Sequence, residues 1–232
     1  MKRLAAAGPL LVLLLLALGF APRNQTWTLP QVLSDLSAAA SRIHAVSADA
    51  AVVDYTALVE EADHSSGTLA FERSAHGPRY VLDLTQPKAS AKKLLYTDQI
   101  AYVYTPSAKQ VMKYPMGNNS EGINQYLLLG MGATGTDLTR SFTVTLDGPA
   151  LLAGQPTIKL TLTPRSAKLK DKLTRVAIWY NPNTWIGVQQ KIWQPGGDYH
   201  LLTLSHIKLN PRLSDKLFSP DFPGATVVTP HF

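Results

Sequence analysis

The chain has 232 residues, with 22 Lys and Arg against 16 Asp and Glu, a formal net charge of +6 and no cysteine. The lack of cysteine excludes disulfides and any lipid attached at a lipobox cysteine, so packing and strand pairing must hold the fold. The mild basic excess suits anionic headgroups or acidic patches on a partner, and it is too diffuse for the concentrated basic stripe of a nucleic-acid binder.

Residues 1–21 read as an export address. Lys2 and Arg3 precede an apolar run from Leu10 to Phe20, and Gly19-Phe20-Ala21 supplies small residues where a signal peptidase cuts. An uncleaved anchor is the competing reading, because Leu4 to Ala21 carries no charge. Gly8, Pro9 and a leucine core short of the roughly 20 residues of a spanning helix weigh against it. Cleavage implies the periplasm, with a short linker over 22–28 and one domain over 29–232, long enough for a substantial core.

Thr28 is placed to cap a helix and Pro30 to open it. Leu29, Leu33, Leu36, Ala40 and Ile43 recur at three and four residues, which predicts an amphipathic helix ending near Val46. From Ser47 the period changes to two. Strands are predicted at Ala51–Thr56, Gly67–Arg73, Pro78–Leu84, Lys93–Tyr96, Ile100–Tyr104 and Lys109–Lys113, each bounded by polar or Gly/Pro residues. Glu121 to Gly132 interrupts them with Ile123, Tyr126, Leu127, Leu128 and Leu129, a leucine-rich stretch that favours helix. Strands resume at Ser141–Leu146 and Thr157–Leu162, then at Leu173–Tyr180, Trp185–Trp193 and Tyr199–Leu209. A helical turn over Pro211–Leu217 and a strand near Ala225–Val228 close the chain.

The short loops favour antiparallel meander pairing. The expected fold class is mainly β with α: a strongly curved antiparallel sheet of about ten or eleven strands, an incomplete barrel covered by two or three short helices. Lys159, Thr161 and Thr163 alternate with Ile158, Leu160 and Leu162, so one face is apolar. Pattern alone leaves open whether that face encloses a ligand or closes over packed side chains.

Gly130-Met131-Gly132-Ala133-Thr134-Gly135 spells GxGxxG, but Asp137-Leu138-Thr139-Arg140 reads into a strand, so a loop is expected there instead of a nucleotide site. His44, His64, His76, His200, His206 and His231 are scattered; only His200 and His206 share a strand face, and neither a metal nor another cofactor is expected. The basic run from Arg165 to Arg175 reads as a solvated loop, with a docking patch for a partner or membrane as the alternative. No G-x-S-x-G elbow and no closely spaced carboxylate pair marks an enzyme.

Several motifs, in order, resemble the LolA-like family of periplasmic lipoprotein carriers. The resemblance runs from about Leu29 to Val228. It includes Ile43-His44-Ala45-Val46-Ser47-Ala48-Asp49, Gly67-Thr68-Leu69-Ala70-Phe71-Glu72-Arg73, and Leu94-Leu95-Tyr96-Thr97-Asp98 with Tyr102-Val103-Tyr104-Thr105-Pro106. Leu160-Thr161-Leu162-Thr163-Pro164 and the ending Phe218-Ser219-Pro220 through Val227-Val228 complete it. Arg73 is followed by Ser74 where the family has proline, and Tyr80 stands in for a family aromatic.

The resemblance implies a monomeric, non-enzymatic carrier that holds the acyl chains of lipoproteins in a hydrophobic cavity. It would receive them from an inner-membrane lipoprotein-releasing ABC transporter and pass them to an outer-membrane acceptor lipoprotein, with transient membrane-proximal contacts and no nucleic acid. Leu69, Phe71, Tyr80, Leu82, Tyr102, Tyr104, Leu160, Leu162, Ile178 and Ile192 are the expected lining, or else plain core. Arg73 would close a lid formed by Tyr126, Leu127, Leu128 and Leu129 by donating to its backbone carbonyls, or else is a solvated strand-end cation. A periplasmic lipid sensor or a general lipid shuttle of the same fold is the alternative.

Overall fold

The computed structural model describes residues 26–116 and 129–230. The export segment 1–21, the first part of the linker, and the lid residues Tyr126, Leu127 and Leu128 lie outside the described residues.

Helix α1 (Leu29–Ala40) starts as its sequence dictates: the Gln31 amide donates to the Thr28 hydroxyl at 3.4 Å and Pro30 sits in the first turn. Its stripe of Val32, Leu36, Ala39 and Ala40 is buried. The helix stops at Ala40, short of the expected Val46, because Ala45 and Val46 are drawn into strand pairing on both sides. The turn between them is stapled by Asn210, whose side-chain oxygen accepts from the His44 amide at 2.7 Å while its nitrogen donates to the Arg42 carbonyl at 2.8 Å.

Six strands follow as a meander: β1 (Ala45–Thr56), β2 (Glu61–Ser74), β3 (Gly77–Gln86), β4 (Lys92–Thr97), β5 (Ile100–Thr105) and β6 (Gln110–Pro115). After residues 129–134 come helix α2 (Gly135–Ser141), strands β7 (Phe142–Leu152) and β8 (Gln155–Pro164), and the single turn α3 (Ala167–Lys170). Strands β9 (Arg175–Tyr180), β10 (Gly187–Trp193), β11 (Tyr199–Leu209) and β12 (Thr226–Val228) complete one sheet in the order β12-β6-β5-β4-β3-β2-β1-β11-β10-β9-β8-β7. Among the described residues the sheet is curved and unclosed, with twelve strands. The C-terminal strand falls within the expected Ala225–Val228, and it pairs parallel to β6 at the edge.

The two faces bury different things, as a period of two requires. On the concave face, residues of β1–β4 and β8–β11 pack against α1, against Leu129, Met131 and Ala133, and against Leu138 of α2. Each such Leu, Ile or Phe contributes about 1.5–3 kcal/mol of burial. On the convex face a smaller cluster joins Ala70, Val81 and Leu95 to Phe218 of the C-terminal segment, with Tyr102, Leu213 and Phe222 around it. Arg79 holds that segment down: it pairs with Glu72, donates to Asp215 at 2.8 Å and lies 4.5 Å from the Phe218 ring centre.

Candidate functional site

The concave face beneath the helices is the candidate site. Eight of the residues expected to line it meet there: Leu69, Phe71, Tyr80, Leu82, Leu160, Leu162, Ile178 and Ile192 are all buried in one cluster with α1 and residues 129–133. Tyr102 and Tyr104 do not join them, which corrects the expectation. Tyr102 pairs with Leu95 on the convex face, and both rings contact Phe222, at 5.8 and 5.2 Å between centroids. Ala101 points inward in their place.

Among the described residues these eight pack in one cluster with the cover. Inside, the described residues leave a cavity of about 10 Å³ between Leu129, Gly130, Met131, Gly187, Gln190, Leu202 and Leu204, room for about one water. A larger cleft of about 600 Å³ opens at the β7–β8 end, among Trp27, Asp35, Pro149, Leu151, Ile158 and Trp185. Among the described residues the concave face thus packs against α1 and residues 129–133.

Two polar side chains interrupt the oily interior. The Tyr180 hydroxyl is wholly enclosed, and burial pushes its ionisation far above the usual phenol value, so it stays neutral. The Gln190 side chain shares the concave face with Leu202 and Ile178 and places its amide nitrogen out of reach of solvent.

The cover is held by a few directed bonds. The Arg73 guanidinium donates through Nε to the Ile43 carbonyl at 3.2 Å and through Nη2 to the Gly132 carbonyl at 2.5 Å. One planar fork thus ties the turn after α1 to the segment before α2. Half-burial lowers the Arg73 pKa and the Asp137 charge opposes that shift; the group remains a cation. The Gly187 amide of β10 donates to the Gly130 carbonyl at 2.7 Å. The Gly135 amide donates to the Ser37 hydroxyl of α1 at 2.9 Å. Arg73 thus meets the segment just after the expected lid, and of the expected lid residues only Leu129 is described; it is buried in the interior cluster.

The GxGxxG segment is a loop over its first five residues, as expected, and a helix that the sequence reading did not place follows it. Helix α2 opens on Gly135 behind a capping box of Thr134 and Asp137. Gly130 and Gly132 have positive φ of 80° and 108°, and a side chain at Gly135 would collide with Leu33 of α1. These glycines serve close approach of the cover. Among the described residues no group of three or more His, Asp or Glu side chains is arranged to hold a metal.

No protein-family model matches the chain, and no curated protein matches it by sequence. Solved structures do resemble it. An uncharacterized conserved protein from Thermus thermophilus superposes with a TM-score of 0.55 at 13% identity, covering 88% of this chain and 100% of that one. The Pseudomonas aeruginosa MucA/MucB complex matches with a TM-score of 0.50 at 13% identity, over 87% of this chain and 63% of that one. The chain therefore spans less than two thirds of that protein's length. A LolA superfamily protein from Nitrosomonas europaea matches more loosely, with a TM-score of 0.42 at 14% identity over 85% of this chain and 100% of that one. At these identities the likeness shows the fold alone, a curved open sheet.

Proposed function

We propose that the chain is an exported, periplasmic carrier for the acyl chains of lipoproteins, with its cover packed on the concave face. In this reading the concave face is the binding surface. The side chains of α1 and of residues 129–133 occupy the space the acyl chains take when the cover lifts. The observation that carries the reading is the Arg73 fork, a single cation bonded to two carbonyls of the cover from one strand of the sheet.

The physical logic is an exchange of like for like. Burying a methylene is worth about 0.8 kcal/mol, so an acyl chain repays the displaced contacts of the cover while the released carbonyls return to water. Affinity then scales with buried length and needs few polar anchors. Release runs downhill to an acceptor that buries the chains better. The Lol-type partners, an inner-membrane transporter as donor and an outer-membrane lipoprotein as acceptor, belong to this proposal.

The test is native mass spectrometry of the protein purified from the envelope of its host. An adduct with the mass of an acylated polypeptide supports the lipoprotein carrier. Free lipid alone would make it a general lipid shuttle. Failure to retain or take up any acylated molecule would end the proposal.

A further inference from the structure

Three connections meet at one end of the sheet. The register sets Arg175 opposite Trp193, Trp193 opposite Tyr199 and Tyr199 opposite Tyr55. The β8–β9 connection (165–174), the β10–β11 turn (194–198) and the β1–β2 turn (57–60) therefore lie at this end together. The apex of the β1–β2 turn is apolar: Leu58 is 92% exposed and Val59 57%. It is held in place, because the Ala57 amide donates to Asp198 at 2.8 Å and Gly197 packs so close that a Cβ there would lie 3.2 Å from that of Ala57.

Behind this apex runs a row of rings and cations on the convex face. Tyr55 stacks on Tyr199 at 4.8 Å. The Lys191 ammonium lies 3.5 Å from the Tyr199 ring centre and 4.9 Å from that of Trp193, and the Arg175 guanidinium lies 3.9 Å from the Trp193 ring centre. The β8–β9 connection adds exposed Arg165, Lys168, Lys170 and Lys172 against one acid, Asp171.

We infer that this end docks on an anionic phospholipid bilayer, with Leu58 and Val59 entering the headgroup–acyl boundary and Arg175, Lys191 and the β8–β9 cations facing the phosphates. Tryptophan and tyrosine settle at the headgroup level, and basic side chains favour an anionic leaflet. A two-residue apolar protrusion suits a deformable medium, whereas a folded partner has to supply a matching hole. Glu60 closes the turn and Glu61 and Asp63 follow on β2; they limit its depth and leave the choice of anionic lipid to the cations. The inference stands apart from the carrier reading, since a protein can dock on a bilayer without holding an acyl chain.

The chain has no cysteine, so Leu58→Cys carries an environment-sensitive dye at a single site. Leu151→Cys, 75% exposed at the far end of β7, serves as the control. With vesicles of equal parts phosphatidylcholine and phosphatidylglycerol, the dye at position 58 shifts to the blue and brightens, and the dye at 151 does not. Vesicles of phosphatidylcholine alone give a weaker response. Cosedimentation with the mixed vesicles weakens more than tenfold in the Arg175→Glu, Lys191→Glu double variant, at about fivefold for each cation lost, and Lys191→Arg restores it in the single-site background. Equal responses at 58 and 151, no response at 58, or binding indifferent to charge reversal would overturn the inference. Acyl uptake that persists while docking fails would leave the carrier reading intact, and the converse would leave docking intact.

Discussion

Arg73 and Gly132 meet across 59 residues of chain: Nη2 donates to the glycine carbonyl at 2.5 Å, and a Cβ on Gly132 would lie 2.9 Å from the same nitrogen. The glycine is thus needed twice, for its φ of +108° and for the space the guanidinium occupies. Replacing Arg73 by Leu leaves the Ile43 and Gly132 carbonyls without their donor, at a cost of about 1–3 kcal/mol. Hydrogen exchange in α1 and α2 should quicken while the central strands keep their protection, and a fluorescent fatty acid should enter faster. Unchanged exchange in α1 with unchanged uptake would mean that the fork is structural and not a latch.

Gly187 of β10 makes a second tie to the cover. A methyl group there would lie 2.8 Å from the Gly130 Cα and 2.9 Å from Ile178 Cγ2, closer than packed atoms come. Gly187→Ala is expected to push residues 129–131 off β10 and break the bond from its amide to Gly130, costing about 1–3 kcal/mol as overpacking does. Thermal melts report the loss, and uptake of the fluorescent probe should rise as it does for the Arg73 variant.

Acid should act on the sheet through Asp54. Its hydrogen bond to His200, 2.5 Å across the β1–β11 pair, holds its carboxyl below the usual value, with burial opposing the shift and the charges of His200 and Lys92 adding to it. A depressed folded pKa contributes stability that is present above the unfolded value of about 3.9 and is lost as pH falls through the folded one. Urea denaturation measured at descending acid pH should therefore show the wild type losing stability in that range more steeply than Asp54→Asn.

Phe218 separates the two faces. It is buried on the convex side against Ala70, Val81 and Leu95, so Phe218→Ala should cost about 3–5 kcal/mol in a chemical denaturation curve. It should leave acyl uptake unchanged, because the cluster it belongs to lies on the face away from the cover. A fall in uptake without loss of stability would place the binding surface on the wrong face.

Much of this architecture is legible in the sequence because one apolar face leaves a period of two. The concave residues of β2, β3, β8 and β9 are read correctly for that reason. The same rule fails where both faces are covered. In β5, Ile100-Ala101-Tyr102-Val103-Tyr104 has no polar residue to mark the outside, and the large rings look like the interior side. They turn outward because Phe222, remote in sequence, comes to cover them. The first half of β2, Glu61 to Ser66, is polar but for Ala62 and carries no strand pattern; it is extended because β1 offers it a full ladder, Thr56 opposite Glu61 to Ala51 opposite Ser66.

At the candidate site, sequence shows the donor and hides the acceptors. Arg73 stands out as a cation ending an apolar strand, whereas the Ile43 and Gly132 carbonyls have no signature. Asn210 is equally silent: only the fold brings it to the turn after α1. Helix α2 did leave a signal. Thr134 and Asp137 stand three apart as a capping box, but the run into Phe142 reads as a strand and masks it.

Photo-crosslinking with a diazirine-bearing fatty acid, mapped by peptide mass spectrometry, tests most directly whether acyl chains lie between the sheet and its cover. The carrier reading predicts label on Leu69, Phe71, Leu160 and Ile178 and on residues 129–133. Label confined to the open cleft around Trp27, Pro149 and Trp185, with none on the concave strands, would contradict it.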